Sequence, residues 1–228
     1  MTTSGTTSFN PTLNDLIEEA FERAGSQVRS GNDFRSARRS LNILVSEWAN
    51  RGLNLWTLLE ATMTLTAGVS TFSLPTDCID VTDHSIRVGT GTSQTDYTIQ
   101  RIGVGTWSNL SVKNQTGRPL QLFVERKIAP NIRVWPTPDT DYTLVYWYLR
   151  RMQDAGSTGT LTMDIPHRFI PALVAGLAYY TAMKKSAVQP EIMPRVQFLQ
   201  QEYEKQFDLA AGEDRDRSSL FLAPYEGS

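Results

Sequence analysis

The chain of 228 residues has one cysteine, two histidines and no excess of positive charge. A single thiol, Cys78, excludes an internal disulfide and any multi-cysteine zinc site. Twenty-two Lys and Arg against 24 Asp and Glu give a formal charge of −2 and argue against a dedicated basic nucleic-acid binder. Long apolar runs are missing too. The longest, 172–180, falls far short of the ~20 residues a spanning helix needs, so no membrane association is expected. The first ten residues carry neither positive charge nor an apolar stretch, which is not the pattern of a secretory signal. Phosphate-binding, dinucleotide, nucleophile-elbow and zincin motifs are all absent. What is present is an ordinary globular composition, 40% apolar, in a chain long enough to build a real core.

Hydrophobic periodicity divides the chain into helical ends around a strand-rich middle. Residues 1–9 are rich in Thr and Ser and read as a flexible N-terminus. Asn10-Pro11 reads as an N-cap followed by proline. Leu13, Leu16, Ile17, Ala20, Phe21 and Ala24 then mark one helical face, with Gly25 as the stop. A second helix starts near Asn32, with Phe34, Ala37, Leu41, Leu44, Val45 and Trp48 as its stripe and Gly52 as its C-cap. The two read as a helical hairpin, with Leu53, Leu55 and Trp56 anchoring the exit.

From about Ala61 the period changes to 2. Met63 and Leu65 alternate with threonines, and Phe72 and Leu74 repeat the pattern after a turn at Ala67-Gly68. Further strands are predicted over 97–102, 120–126, 132–135 and 142–150. The last, YTLVYWYLR, is apolar on both faces and reads as a central strand. After a flexible loop at 153–159, a third helix over 167–185 is apolar nearly all round. A fourth runs over 190–211 with Ile192, Val196, Leu199, Tyr203, Phe207 and Ala210 on one face.

The expectation is an α+β protein. Neither terminal helix pair can bury its stripe alone, so 10–58 and 163–212 are expected to form a four-helix bundle. The mostly antiparallel β domain, 59–162, is an insertion projecting from one end, and 213–228 is a C-terminal extension.

Candidate chemistry is sparse. Asp80-Val81-Thr82-Asp83-His84 offers two carboxylates and an imidazole, too few ligands for a metal site, and reads as a polar turn. Cys78 reads as a small half-buried thiol and His167 as a surface residue at a helix start. Asp139 and Asp141 read as turn formers. No catalytic residue, metal site or cofactor is assigned, and the protein is not expected to be an enzyme.

Charge, though balanced, is segregated. Arg29, Arg35, Arg38 and Arg39 crowd the start of helix two. Lys113, Arg118, Arg126, Lys127, Arg133, Arg150 and Arg151 outnumber the acids of 113–151, whereas acids dominate 202–216. Solvated faces account for any one cluster; the set together suits a head-to-tail contact between copies. Leu220, Phe221, Leu222 and Tyr225 lie beyond a charged stretch and either fold back or dock on a partner.

In its order of elements the chain resembles the head-to-tail adaptors of short-tailed bacteriophages, the tail tubular protein A-like family. The matching segments are LIEEAFERAG (16–25), LNILVSEWANRGLNLW (41–56), the hairpin Gly68–Pro75, the strand start Gly117–Pro119, WPTPD (135–139) and IPHRFIPALVAGLAYYTAMK (165–184). The resemblance implies a homo-oligomeric ring, expected to be a dodecamer, beneath the portal protein. Such a ring joins the capsid to the next tail component, a nozzle or tube protein. It lines a channel through which double-stranded DNA passes without sequence specificity, at the head–tail junction of a virion assembled in the host cytoplasm. Near-neutral charge suits a conduit, because many phosphate contacts would hold the DNA back. Leu220, Phe221, Leu222 and Tyr225 are then candidates for portal docking, and Arg35, Arg38 and Arg39 for portal or inter-subunit contacts. Two other readings stay open: a carbohydrate- or receptor-binding tail module using Tyr97, Trp107, Trp135 and Trp147, and an envelope-degrading hydrolase.

Overall fold

The structure is a computed structural model that describes residues 5–7, 9–51, 55–186 and 189–214. The expected Gly52 C-cap, the Leu53 anchor and the last fourteen residues lie outside these. The protein is α+β and divides into two compact units: the described residues up to Leu55 with those from Met152 onward, and Trp56–Arg151.

The first unit is helical. α1 spans Leu13–Arg23 and is capped by Thr12, not by the expected Asn10. The Thr12 hydroxyl accepts from the Asp15 N–H (3.3 Å) and the Asp15 carboxylate accepts from the Thr12 N–H (2.8 Å), a reciprocal capping box. Its other end closes at Gly25, φ +74°, with Gly25 donating to the Glu22 carbonyl and Ser26 to that of Phe21. α2 spans Gly31–Arg51, and the Asp33 carboxylate reaches back to the N–H groups of Arg29 and Ser30 at its start.

A short α3, Val104–Ser108, belongs to the other unit. α4 spans Ile170–Ser186 after a 3₁₀ turn over His167–Phe169, and α5 spans Met193–Glu213 after another over Pro190–Ile192.

α4 is the hub. α1, α2 and α5 each pack against it, whereas α1 and α2 barely touch one another, so they are joined less as a hairpin than through their shared neighbour. The reason is composition. Ala172 to Ala178 are all buried, which leaves α4 no polar face to turn outward. Trp48, 1% exposed, joins the chain's early and late segments. Its indole N–H donates to the Tyr203 hydroxyl (2.9 Å), and its ring lies 5.5 Å from Phe169 and 5.6 Å from Phe207.

The 153–159 loop, expected to be flexible, is fastened. Leu161 and Gly159 carbonyls accept the first N–H groups of α1, and Asn42 Oδ1 accepts from the Ala155 N–H. Arg38 donates to the Ser157 carbonyl. Helix starts have unpaired donors, and this loop satisfies them.

The second unit is two four-stranded sheets around one core. Strands β1 (Leu58–Leu65), β8 (Tyr142–Arg150), β3 (Cys78–Val88) and β4 (Thr95–Thr98) form the first, in that order, all antiparallel. β8 lies inside this sheet, as its sequence predicts. β2 (Thr71–Ser73), β7 (Asn131–Trp135), β6 (Gln121–Glu125) and β5 (Gln100–Ile102) form the second, in which β5 and β6 run parallel. Leu65, Val81, Ile86 and Leu144 of the first sheet meet Leu122, Val124, Ile132 and Val134 of the second.

Three strand expectations change. β1 and β2 do not form a hairpin: the turn at Gly68, φ +77°, carries the chain from one sheet to the other. The run 97–102 divides between β4 and β5, in different sheets. The supposed polar turn at 80–84 is strand, irregular twice where its register against β8 shifts, and those bulges mask its alternation.

Candidate partner interface

The groups with chemical potential are dispersed. Burial, with Asp80 and Asp77 nearby, pushes the Cys78 thiol up to about 11, so it is protonated at neutral pH and a poor nucleophile. Both ring nitrogens of His84 are buried, and burial followed by the Arg101 charge lowers its pKa. His167 is exposed at a helix start, its ring 5.7 Å from Phe9. Asp139 accepts from the Thr140 N–H and the Tyr142 hydroxyl, and Asp141 from the Ala67 N–H; both are turn residues. Among the described residues no three His, Cys, Asp or Glu side chains gather where they would hold a metal ion. No helix among them is long and apolar enough to cross a membrane.

The aromatics considered for sugar binding make separate contacts. Arg118 lies 4.4 Å over the Tyr97 ring, Trp107 stacks on Phe123 at 5.9 Å, and the Trp135 N–H donates to the Val112 carbonyl.

A cleft of about 600 Å³ opens in the helical unit among Phe21, Arg29, Asp33, Lys184 and Lys185. Its two lysines have local duties. Lys184 Nζ donates to the hydroxyls of Ser36 (2.9 Å) and Ser40 (2.6 Å), and Lys185 lies 5.0 Å over the Phe21 ring. Burial lowers the pKa of both lysines. Arg195 donates to the Arg23 carbonyl at the end of α1 (3.0 Å). These positive groups answer the negative ends of α1 and α4.

The basic stretch of 113–151 is neutralised in part within its own unit, at Arg126, Lys127 and Arg133. Asp80 accepts from Arg101 (2.7 Å) and from Arg126, and Glu125 accepts from Lys127 (2.7 Å) and Arg133 (2.8 Å). Burial alone would raise the Asp80 pKa, but the two arginines outweigh it and hold it below its ordinary value.

The basic face of α2 is different. Arg35 and Arg39 are exposed and Arg38 half-buried, and among the described residues no carboxylate pairs with any of the three. Arg35 donates only to Asn32 on its own helix. Arg38 donates to the Ser157 carbonyl, so Arg35 and Arg39 are the more accessible of the three charges. Leu220, Phe221, Leu222 and Tyr225 lie outside the described residues.

Two residues escaped the sequence reading. Phe198 and Leu209 on α5 are 64% and 60% exposed, eleven residues apart and so on one side of the helix. Each sits one position before a residue of the buried stripe, Leu199 or Ala210, which turns it about 100° away from the core. A helical projection of 193–213 would have separated them.

Among the described residues, then, α2 presents arginines that no carboxylate pairs, and α5 exposed apolar side chains. The chain matches the SU10 adaptor protein family over residues 11–224 and belongs to that family, one of phage head-to-tail adaptors. It is therefore a phage adaptor protein, a structural part of the virion. No curated protein matches the chain.

Proposed function

We propose that this protein forms a ring, expected to be twelve-fold, beneath the portal of a short-tailed phage. It would join the capsid to the next tail component and line the channel for DNA. The observation that carries this reading is the family match, which covers nearly the whole chain. The balanced charge of −2 supports it, because a conduit should not grip DNA through phosphate contacts.

In this reading α1, α2, α4 and α5 form a four-helix bundle, with 59–162 as an inserted β domain. The packing of α1, α2 and α5 on α4, and the Trp48–Tyr203 bond, support that arrangement. Arg35, Arg38 and Arg39 contribute portal or inter-subunit contacts, and Leu220, Phe221, Leu222 and Tyr225 dock on the portal.

The test is binding to purified portal rings. The cut belongs after Asp214 rather than at 213. Asp214 is buried and accepts from the Leu55 N–H (3.1 Å) and from Arg168, so its removal would damage the fold itself. A chain ending at Asp214 should remain folded and lose portal binding. Undiminished binding would remove the docking role of the terminal residues; no binding by the full chain would remove the adaptor-ring reading.

A further inference from the structure

The ring reading leaves open which surfaces join neighbouring copies. The exposed face of α2 presents Asn32, Arg35, Arg39, Ile43, Ser46 and Asn50, at spacings that keep them on one side of the helix. It is basic with one large apolar residue at its middle, Ile43, 55% exposed. The exposed half of α5 presents Phe198 and Leu209 along one edge and Glu204 and Asp208 along the other, about 100° round the helix, with one cation, Lys205, between and nearly in line with the apolar pair. A helix rises 1.5 Å per residue, which sets Phe198 about 10 Å from Lys205 and about 16 Å from Leu209 along the helix.

We propose that the α2 face of one copy docks on the α5 face of the next. Ile43 enters between Phe198 and Leu209 while Arg35 and Arg39 meet Glu204 and Asp208. The inference rests on the ring reading and names its contact.

The two faces are complementary in sign, and each carries apolar side chains that are exposed among the described residues. In the other basic stretch of the chain, 113–151, Asp80 and Glu125 already hold Arg126 and Arg133. Two different faces on one chain make a heterologous contact, the kind that propagates and closes into a ring when the rotation allows.

Charge exchange between copies tests this. Variant A carries Arg35→Glu and Arg39→Glu; variant B carries Glu204→Arg and Asp208→Arg. All four positions are exposed, so both variants should keep the wild-type circular dichroism. Sedimentation velocity over a concentration series, and on portal particles, reads assembly. The wild type should form species at multiples of 25.6 kDa. A alone and B alone should remain monomeric, because each then has like charges on both faces. An equimolar mixture should assemble again, since the reversed α2 face of A meets the reversed α5 face of B and the two unaltered faces meet each other. A second readout is a disulfide ladder from Ile43→Cys with Phe198→Cys in one chain, and dimers at most from the two single variants mixed.

Wild-type assembly that neither variant weakens, or that mixing fails to restore, overturns the pairing while leaving the ring. If removing 215–228 speeds thiol labelling of a Phe198→Cys chain and both variants still assemble, the chain's own end covers α5, which also overturns it. A wild type that stays monomeric in solution and on portal particles overturns the ring and the pairing together.

Discussion

Gly176 is where the packing of the helical unit is most exposed to test. A β-carbon built on it would lie 2.9 Å from Leu44 Cδ2, 2.9 Å from Tyr203 Cε2 and 3.0 Å from Leu44 Cδ1, so α2 and α5 both close on α4 there. Neither neighbour has space to retreat: Leu44 is 0% and Tyr203 3% exposed, and the Trp48 N–H holds the tyrosine hydroxyl. Replacing a helical glycine with alanine ordinarily gains about 1 kcal/mol. Forcing a methyl group into a full core costs about 1–3 kcal/mol. The second effect should win at this position, so Gly176→Ala should be destabilising by about 1 kcal/mol net, and Gly176→Val by about 3 kcal/mol or more. Gly212→Ala, near the end of α5 with nothing within 4 Å of its added carbon, is the control and should be neutral or stabilising. Urea unfolding followed by the helical circular dichroism signal gives the shift in midpoint at constant slope. If Gly176→Ala stabilises as much as Gly212→Ala, the close meeting of α2, α4 and α5 is wrong.

Asp214→Ala should cost about 1–3 kcal/mol by orphaning the Leu55 N–H, read by the same denaturation, and Arg168→Ala should cost at least as much because it strands the fully buried Asp214 carboxylate without its cation. The lowered pKa of His84 means that the unfolded chain takes up a proton which the folded chain refuses. Stability should therefore fall as pH drops through 6.5 toward the lower folded value, and thermal melts of His84→Leu should lose that part of the slope. Asp80 has the opposite charge type and the same direction of shift. Its stabilising contribution is complete above 3.8 and is lost as pH falls through the lower folded value, so Asp80→Asn should flatten the acid limb below about pH 4.

Much of the fold was legible where a single period dominates. The all-round apolarity of 170–182 announced a helix covered on several sides, and the two-faced apolar run of β8 announced an inner strand. What sequence could not supply was partnership. β3 looked like a turn because Asp80 and Asp83 interrupt it, and only its bulged pairing with β8 and the arginines on Asp80 make those acids tolerable in a strand. The candidate interface followed the same rule. Composition located the arginines of 29–39 and 113–151, but which ones remain open depends on carboxylates far along the chain, such as Asp80 facing Arg101 and Arg126. The α5 residues Phe198 and Leu209 were hidden by their nearness in sequence to core positions.

The carboxylate of Asp214 holds the backbone at Leu55, where the chain departs for its β excursion, and the Arg168 side chain, shortly after its return. Beyond that residue the sequence continues for fourteen more. A pull on this trailing segment is consequently delivered to a clasp between three strand-distant stretches of chain, and mechanical load is shared among them before any single helix bears it.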